Sequence, residues 1–147
     1  MKFLSLFSGV EAASVAWDYL EGFECVGLAE IAKFPSAVLA QRYPTVYNFG
    51  DVCNVTKESY YEKQTEKPDI IIGGSPCQSF SIAGLRKGTE DPRGQLMYEF
   101  LRVVFELRPI YVVWENVKGA LSSNGGRDFG TLIGTLSNLG YDLEWQV

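Results

Sequence analysis

The sequence predicts an α/β domain built on a mainly parallel sheet. Strand-like runs alternate with helical ones, and the strands ("KFLSLF", "DIII", "IYVVWEN") read as continuous apolar runs. That is the pattern of strands buried on both faces rather than on one. A further observation concerns where polar residues fall. Ser8-Gly9, Glu30, Asp51, Gly73 to Cys77 and Glu115-Asn116 each follow a strand. In open α/β sheets ligands bind beyond the carboxyl ends of the strands, near the topological switch point. One sheet edge is therefore the candidate site.

Taken in order, residues 2–7 read as a short buried strand ending at Ser8-Gly9. From Glu11 the chain has helical character, with Ala12, Val15, Ala16 and Tyr19 near one face and a stop at Gly22. Residues 24–30 form a second strand ending in an acid. Pro35 suits the first turn of a helix that stops before Pro44. Residues 45–51 read as a third strand, and residues 57–67 as a solvated helix or loop. Residues 69–72 are the most convincing buried strand, followed by a long irregular loop. Residues 94–108 predict a helix with Leu96, Phe100, Val103, Val104 and Leu107 on one stripe. Residues 110–116 form another strand, residues 129–139 a helix, and residues 141–147 the beginning of a strand.

A chain of 147 residues fits one domain with its own core. The hydrophobic fraction of 46% and charged fraction of 21% are those of an ordinary soluble protein. No stretch approaches the roughly 18 apolar residues of a membrane span. Ser5, Ser8, Gly9 and Glu11 interrupt the N-terminal apolar run, so it reads as mature structure and the expected location is cytoplasmic. Three cysteines without CxxC spacing and no histidine make a zinc cluster or a disulfide framework unnatural, and no metal is expected. The net charge of −5 argues against a nucleic-acid partner, which needs a basic face.

Each candidate position admits more than one reading. In "FSGVEAA", glycine at the turn lets a ligand approach the helix N-terminus, while Ser8 with Glu11 three residues on is also a capping box. Glu30 ends the second strand roughly twenty residues after that turn, the place of an acid that binds ribose hydroxyls. Asp51 suits an adenine amino group or an Asx turn. Cys25 and Cys53 read as small buried hydrophobes. Cys77 differs, because Gly-Gly-Ser-Pro holds it rigidly at the ligand edge. Glu115 in "WENV" is flanked by apolar residues, an environment that favours a partly protonated carboxyl. A thiol and an acid without histidine suit conjugate addition to an electron-poor ring. The thiolate adds to carbon, the acid protonates nitrogen, and an adenosine-bearing methyl donor supplies the electrophile.

These residues resemble the DNA (cytosine-5) methyltransferase family. "LFSG" resembles its first motif, "AEI" the second and Gly50-Asp51 the third. "GGSPCQSFS" resembles the catalytic Pro-Cys motif, "DPRGQLMYEFLRVV" the fifth and "ENV" the sixth. The resemblance runs through nearly the whole chain and implies a Rossmann-like S-adenosylmethionine-dependent methyltransferase fold. It makes Cys77 the nucleophile toward C6 of a flipped-out cytosine and Glu115 the residue that protonates N3, with C5 taking the methyl group. It places Phe7 against the adenine, Ser8, Gly9, Val10 and Ala12 in the cofactor turn, Glu30 on the ribose and Ile31 on the adenine face. Asp51 and Val52 would complete the adenine edge, with Gly74, Pro76 and Leu96 lining the rest. Gln78, Ser81, Arg86, Lys87, Arg93 and Asn116 would face the double-stranded DNA substrate, all but Asn116 from a mobile loop.

The family usually has an aspartate where this chain has Ser5, a glycine pair where it has Glu11 and Ala12, and often an acid where it has Ala32. Glu11 and Ala12 are therefore expected to tighten or reshape the methionine end of the pocket. The family also continues with an Arg-rich motif, a target-recognition region and two last motifs. Residues 1–147 thus read as its cofactor-binding and catalytic domain, with no target-recognition domain, which reconciles an acidic chain with a DNA substrate. The chain alone is expected to be inactive. An alternative is a non-catalytic module acting with a complementing C-terminal chain; a homodimer is a further expectation. A nicotinamide oxidoreductase lacks support, since GxGxxG is absent.

Overall fold

The computed structural model describes residues 1–17, 19–76 and 95–147, with the side chain of Gln95 outside the description. Four strands, β1 (Lys2–Leu6), β2 (Glu24–Ala29), β3 (Ile70–Gly73) and β4 (Tyr111–Trp114), pair in the order β2-β1-β3-β4, all parallel. Among the described residues five α-helices accompany them: α1 (Ala12–Trp17), α2 (Lys33–Arg42), α3 (Lys57–Tyr61), α4 (Gln95–Leu107) and α5 (Arg127–Asn138). The chain first steps from β1 to β2 and then crosses to the other side of β1. The switch point therefore lies between the carboxyl ends of β1 and β3.

The sheet is buried on both faces at its centre. On one face Phe3, Ile70 and Ile72 pack beneath Ala13, Trp17 and Phe23. Trp17 meets Phe3 edge-on and stacks on Phe23, each with ring centroids 4.8 Å apart. On the other face Leu4, Leu6 and Ile71 share a cluster with Phe100, Val103, Val104 and Leu107 of α4. The predicted α4 stripe is thus the buried one, with Leu96 only partly buried at its start.

Three local expectations are corrected. The face of α1 toward the core carries Ala13, Ser14 and Trp17, whereas Val15 and Tyr19 are exposed. The large Trp17 ring anchors this short helix and sets its rotation. Residues 45–51 form no strand; Asn48 makes an isolated parallel bridge to Leu28, and Gly50 then turns the chain at φ +71°. Residues 141–147 likewise form no strand. Tyr141 and Leu143 pack on the core, the Tyr141 hydroxyl donates to the Pro109 carbonyl, and Trp145 meets Phe129 edge-on. Side-chain packing rather than a ladder holds this segment.

Arg102 on α4 fixes the segment after Asp51. It donates to Glu99 and Glu106 on its own helix, and to the carbonyl oxygens of Val52 and Val55. The carboxylates neutralise a cation that the carbonyls then use as a fixed donor fork.

Candidate functional site

The register of the sheet decides which residues meet. Leu6 pairs with Ala29 on one side and Gly73 on the other, and Gly73 pairs with Trp114. The next residue of each strand leaves the sheet at this same level: Glu30, Phe7, Gly74 and Glu115. Four separate motifs are thus brought into one row along the carboxyl edge.

The turn after β1 is tightly coiled, with positive φ at Phe7 (54°), Gly9 (55°) and Glu11 (61°). Ser8 is sewn to β2: its amide donates to the Ala29 carbonyl and its hydroxyl accepts from the Ala29 amide. It does not cap α1, so the predicted Ser8–Glu11 capping box is corrected. Glu11 takes that place instead. Its Oε1 accepts from the Ser14 amide at 3.2 Å, and the Ser14 hydroxyl donates to the Glu11 carbonyl at 2.9 Å. A residue already held in the left-handed region by the coil leaves its side chain beside the helix start.

Glu11 is 1% exposed, so its carboxyl is turned into the protein. Arg42 donates to the Val10 carbonyl at 2.7 Å and to the Ser14 hydroxyl, and Tyr43 donates to the same hydroxyl. Burial pushes the Glu11 carboxyl above its ordinary value of 4.5, while Ser5, Ser14 and Arg42 pull it back. The folded chain therefore binds this proton more tightly than the unfolded one. The stabilisation is complete below the ordinary carboxylate range and is lost as pH rises through the raised value. Thermal melting of wild type and Glu11→Gln from about pH 4 to about pH 8 tests this. The wild type's stability relative to the variant should decline with rising pH; a steady increase would contradict the assignment.

Glu30 faces the same turn. Its Oε2 accepts from the Gly9 amide at 2.8 Å and its Oε1 from the Ala32 amide at 2.7 Å. Each oxygen keeps a further lone pair. A β-carbon placed on Gly9 meets nothing within 4 Å, so the turn borders open space. Ile31 is 72% exposed beside it. Val10 and Ala12 are also exposed, Phe7 packs partly on the core, and Leu96 does the same. Asp51 makes the Asx turn that was one of its two readings, accepting from the Cys53 amide at 2.9 Å. Val52 is buried in the core, so its side chain is given to packing.

Gly74 and Glu115 lie against each other. A β-carbon at Gly74 would sit 2.8 Å from Glu115 Oε2 and 2.9 Å from its carbonyl oxygen. Asn116 donates to the Ser75 carbonyl at 2.9 Å, and the Trp114 ring nitrogen donates to the Ser75 hydroxyl at 3.3 Å. Two side chains from the end of β4 thus hold Ser75, one at its carbonyl and one at its hydroxyl, just before exposed Pro76. Glu115 is exposed, which corrects the expectation of a buried carboxyl; of its apolar neighbours Trp114 packs against the core and Val117 is itself exposed. Cys77, Gln78, Ser81, Arg86, Lys87 and Arg93 lie outside the described residues.

Of the other cysteines, Cys25 is partly buried and desolvation pushes its thiol up to about 12. Cys53 is exposed, which corrects its reading as a buried hydrophobe; the Asx turn holds its backbone and leaves the side chain outside. Among the described residues no group of three or more His, Cys, Asp or Glu is placed to hold a metal, and no helix is long and apolar enough to cross a membrane.

A parallel sheet whose carboxyl edge carries a coiled turn, an oriented acid and a glycine beside a second acid has the architecture of the S-adenosylmethionine-dependent methyltransferase fold. The family model for C-5 cytosine-specific DNA methylases matches residues 1–147, and the chain belongs to that family. It is 36% identical over 150 residues to the orphan methyltransferase M.SPRI of Bacillus phage SPR, covering all of this chain and 33% of that protein. It is 45% identical over 128 residues to a DNA N-6-adenine-methyltransferase of Escherichia phage P1, covering 81% of this chain but 17% of the relative. Among solved structures, one from E. coli described provisionally as a prophage-encoded DNA modification methyltransferase superposes with a TM-score of 0.77 at 29% identity. That match covers 94% of this chain and 38% of the other. The chain thus spans well under half the length of these relatives.

Proposed function

We propose that residues 1–147 form the cofactor-binding and catalytic domain of an enzyme that methylates C5 of cytosine in double-stranded DNA. The observation that carries this reading is the contact of Glu115 with Gly74 in the row beside the switch point. Three residues of chain span at most about 11 Å, a distance that allows Glu115 and the thiol of Cys77 to act on one ring.

The residues present fit S-adenosylmethionine. Glu30 is oriented by two amides with lone pairs left for ribose hydroxyls, and open space lies over Gly9. Ile31 offers an exposed apolar face to the adenine, with Phe7, Ser8, Val10, Ala12, Asp51, Val52, Gly74, Pro76 and Leu96 around the same edge. When bound, the cofactor supplies an electrophilic methyl group to C5. The Cys77 thiolate bonds to C6 of the ring while Glu115 gives a proton to N3, so charge does not accumulate. Solvent water takes the C5 proton, the C6–S bond breaks with its electron pair returning to the Cys77 thiolate, and N3 returns its proton to Glu115. Asn116 steadies the turn before Cys77, and Gln78, Ser81, Arg86, Lys87 and Arg93 face DNA.

The test is transfer of labelled methyl groups to duplex DNA, with and without a polypeptide supplying the remaining length of a relative. The chain alone should transfer little, since none of its assigned residues reads a sequence. In the complemented enzyme Glu115→Gln should lower the rate by about 10²–10⁴. A rate within twofold of wild type would remove Glu115 from the chemistry.

A second reading, a non-catalytic module working through a complementing chain, is favoured by β4. This outer strand of the described sheet leaves Tyr111 56% and Val113 41% exposed, beside Ile110 at 56%. Such an edge suits another polypeptide, or a second copy of this chain.

A further inference from the structure

We infer that Asn48 is a positioning residue for the adenosyl end of the cofactor site. This rests on the reading of Glu30 and Asp51 as cofactor contacts. The side-chain amide of Asn48 uses its full hydrogen-bonding capacity between the two segments that carry these acids. Its Oδ1 accepts from the Glu30 amide at 3.0 Å and from the Gly50 amide at 3.0 Å. Its Nδ2 donates to the Glu30 carbonyl at 3.1 Å and to the Ser36 hydroxyl at 3.4 Å. The Ser36 hydroxyl in turn donates to the Glu30 carbonyl at 3.0 Å.

Toward Glu30 the amide therefore acts as a peptide group would, engaging both the N–H and the C=O of one residue. The bridge between Leu28 and Asn48 ends at that point, because Gly50 turns away at φ +71°. The side chain continues the pairing for one more residue, where the backbone no longer can. Glu30 is thus fixed at its main chain by Asn48 and at its carboxylate by the Gly9 and Ala32 amides. The same Asn48 oxygen sets the turn that presents Asp51. One residue fixes the separation of two acids carried by segments that share no ladder beyond a single bridge.

The experiment titrates S-adenosylhomocysteine and adenosine calorimetrically into wild type, Asn48→Ala and Ser59→Ala, each well below its melting transition. Ser59 is the control. Its hydroxyl donates to the Asn54 carbonyl and accepts from the Thr56 amide, so the variant loses a comparable network away from Glu30. Asn48→Ala should weaken both ligands by about tenfold and by equal factors, the loss expected when two ordered contacts become floppy. Ser59→Ala should bind both within about twofold of wild type while melting lower. Wild-type-like binding by Asn48→Ala, or an equal loss in Ser59→Ala, overturns the inference. Hydrogen exchange of the free wild type supplies a readout that needs no variant. The Glu30 and Gly50 amides should already exchange as slowly as those of β2, and fast exchange overturns the inference. If wild type binds neither ligand, the cofactor reading itself fails, and Asn48 loses this role with it.

Discussion

Gly73→Ala should destabilise the chain by about 3 kcal/mol or more, enough to unfold a domain of ordinary stability at modest urea. A β-carbon at Gly73 would lie 2.3 Å from the Leu6 carbonyl oxygen and 3.1 Å from Leu6 Cβ. Neither neighbour can yield. Leu6 has no exposed surface and pairs with Ala29 on its far side, so relief requires moving β1, at the middle of the sheet. The same movement would spread the row that brings Phe7, Gly74 and Glu115 together. Chemical denaturation measures the effect, and Gly134→Ala provides the contrast. Gly134 lies in α5 with nothing within 4 Å of its added carbon, so alanine there should be neutral or stabilise by up to about 1 kcal/mol. Equal behaviour of the two variants would mean that the β1–β3 approach is not as close as described.

Cys77→Ser should abolish methyl transfer in the complemented enzyme, a loss of several orders of magnitude. Nucleophilic addition needs a thiolate, and serine offers a far weaker acid with no histidine in the chain to deprotonate it. Glu115→Gln should behave differently. It leaves the nucleophile intact and removes the proton for N3, so slow transfer survives. Two variants that fail to the same extent would argue for a shared structural cause rather than for separate chemical roles.

Much of this site was legible because the sheet that carries it is buried. The runs 2–7, 24–30 and 69–72 read as strands between apolar layers, and the residue after each stands at the ligand edge; the run 110–116 also holds a strand, but β4 is half open, with Tyr111 and Val113 exposed. What periodicity could not give was rotation and side-chain partnership. The face of α1 depends on where the Trp17 ring finds room against Phe3 and Phe23. The cap of α1 moved from Ser8 to Glu11 because Ser8 is bound to β2, a contact between residues far apart in sequence. Residues 45–51 resembled a strand, but their geometry rests on the Asn48 amide and the turn at Gly50. Arg102 and Asn48 carried no sequence signal. Each acts on backbone carbonyls or amides distant along the chain, and such partners appear only once the chain is folded.

The central claim is that Cys77 is a nucleophile toward a cytosine ring with Glu115 as its acid. Its most direct test is covalent trapping on duplex DNA containing 5-fluorocytosine, with S-adenosylmethionine and the complementing polypeptide in a complex already shown to bind DNA. Fluorine blocks the final loss from C5, so the wild-type chain should accumulate a stable adduct. Peptide mapping by mass spectrometry should place the DNA on Cys77, and Cys77→Ser should form none. An adduct on another residue, equal trapping by Cys77→Ser, or no adduct with the wild-type chain would contradict the account.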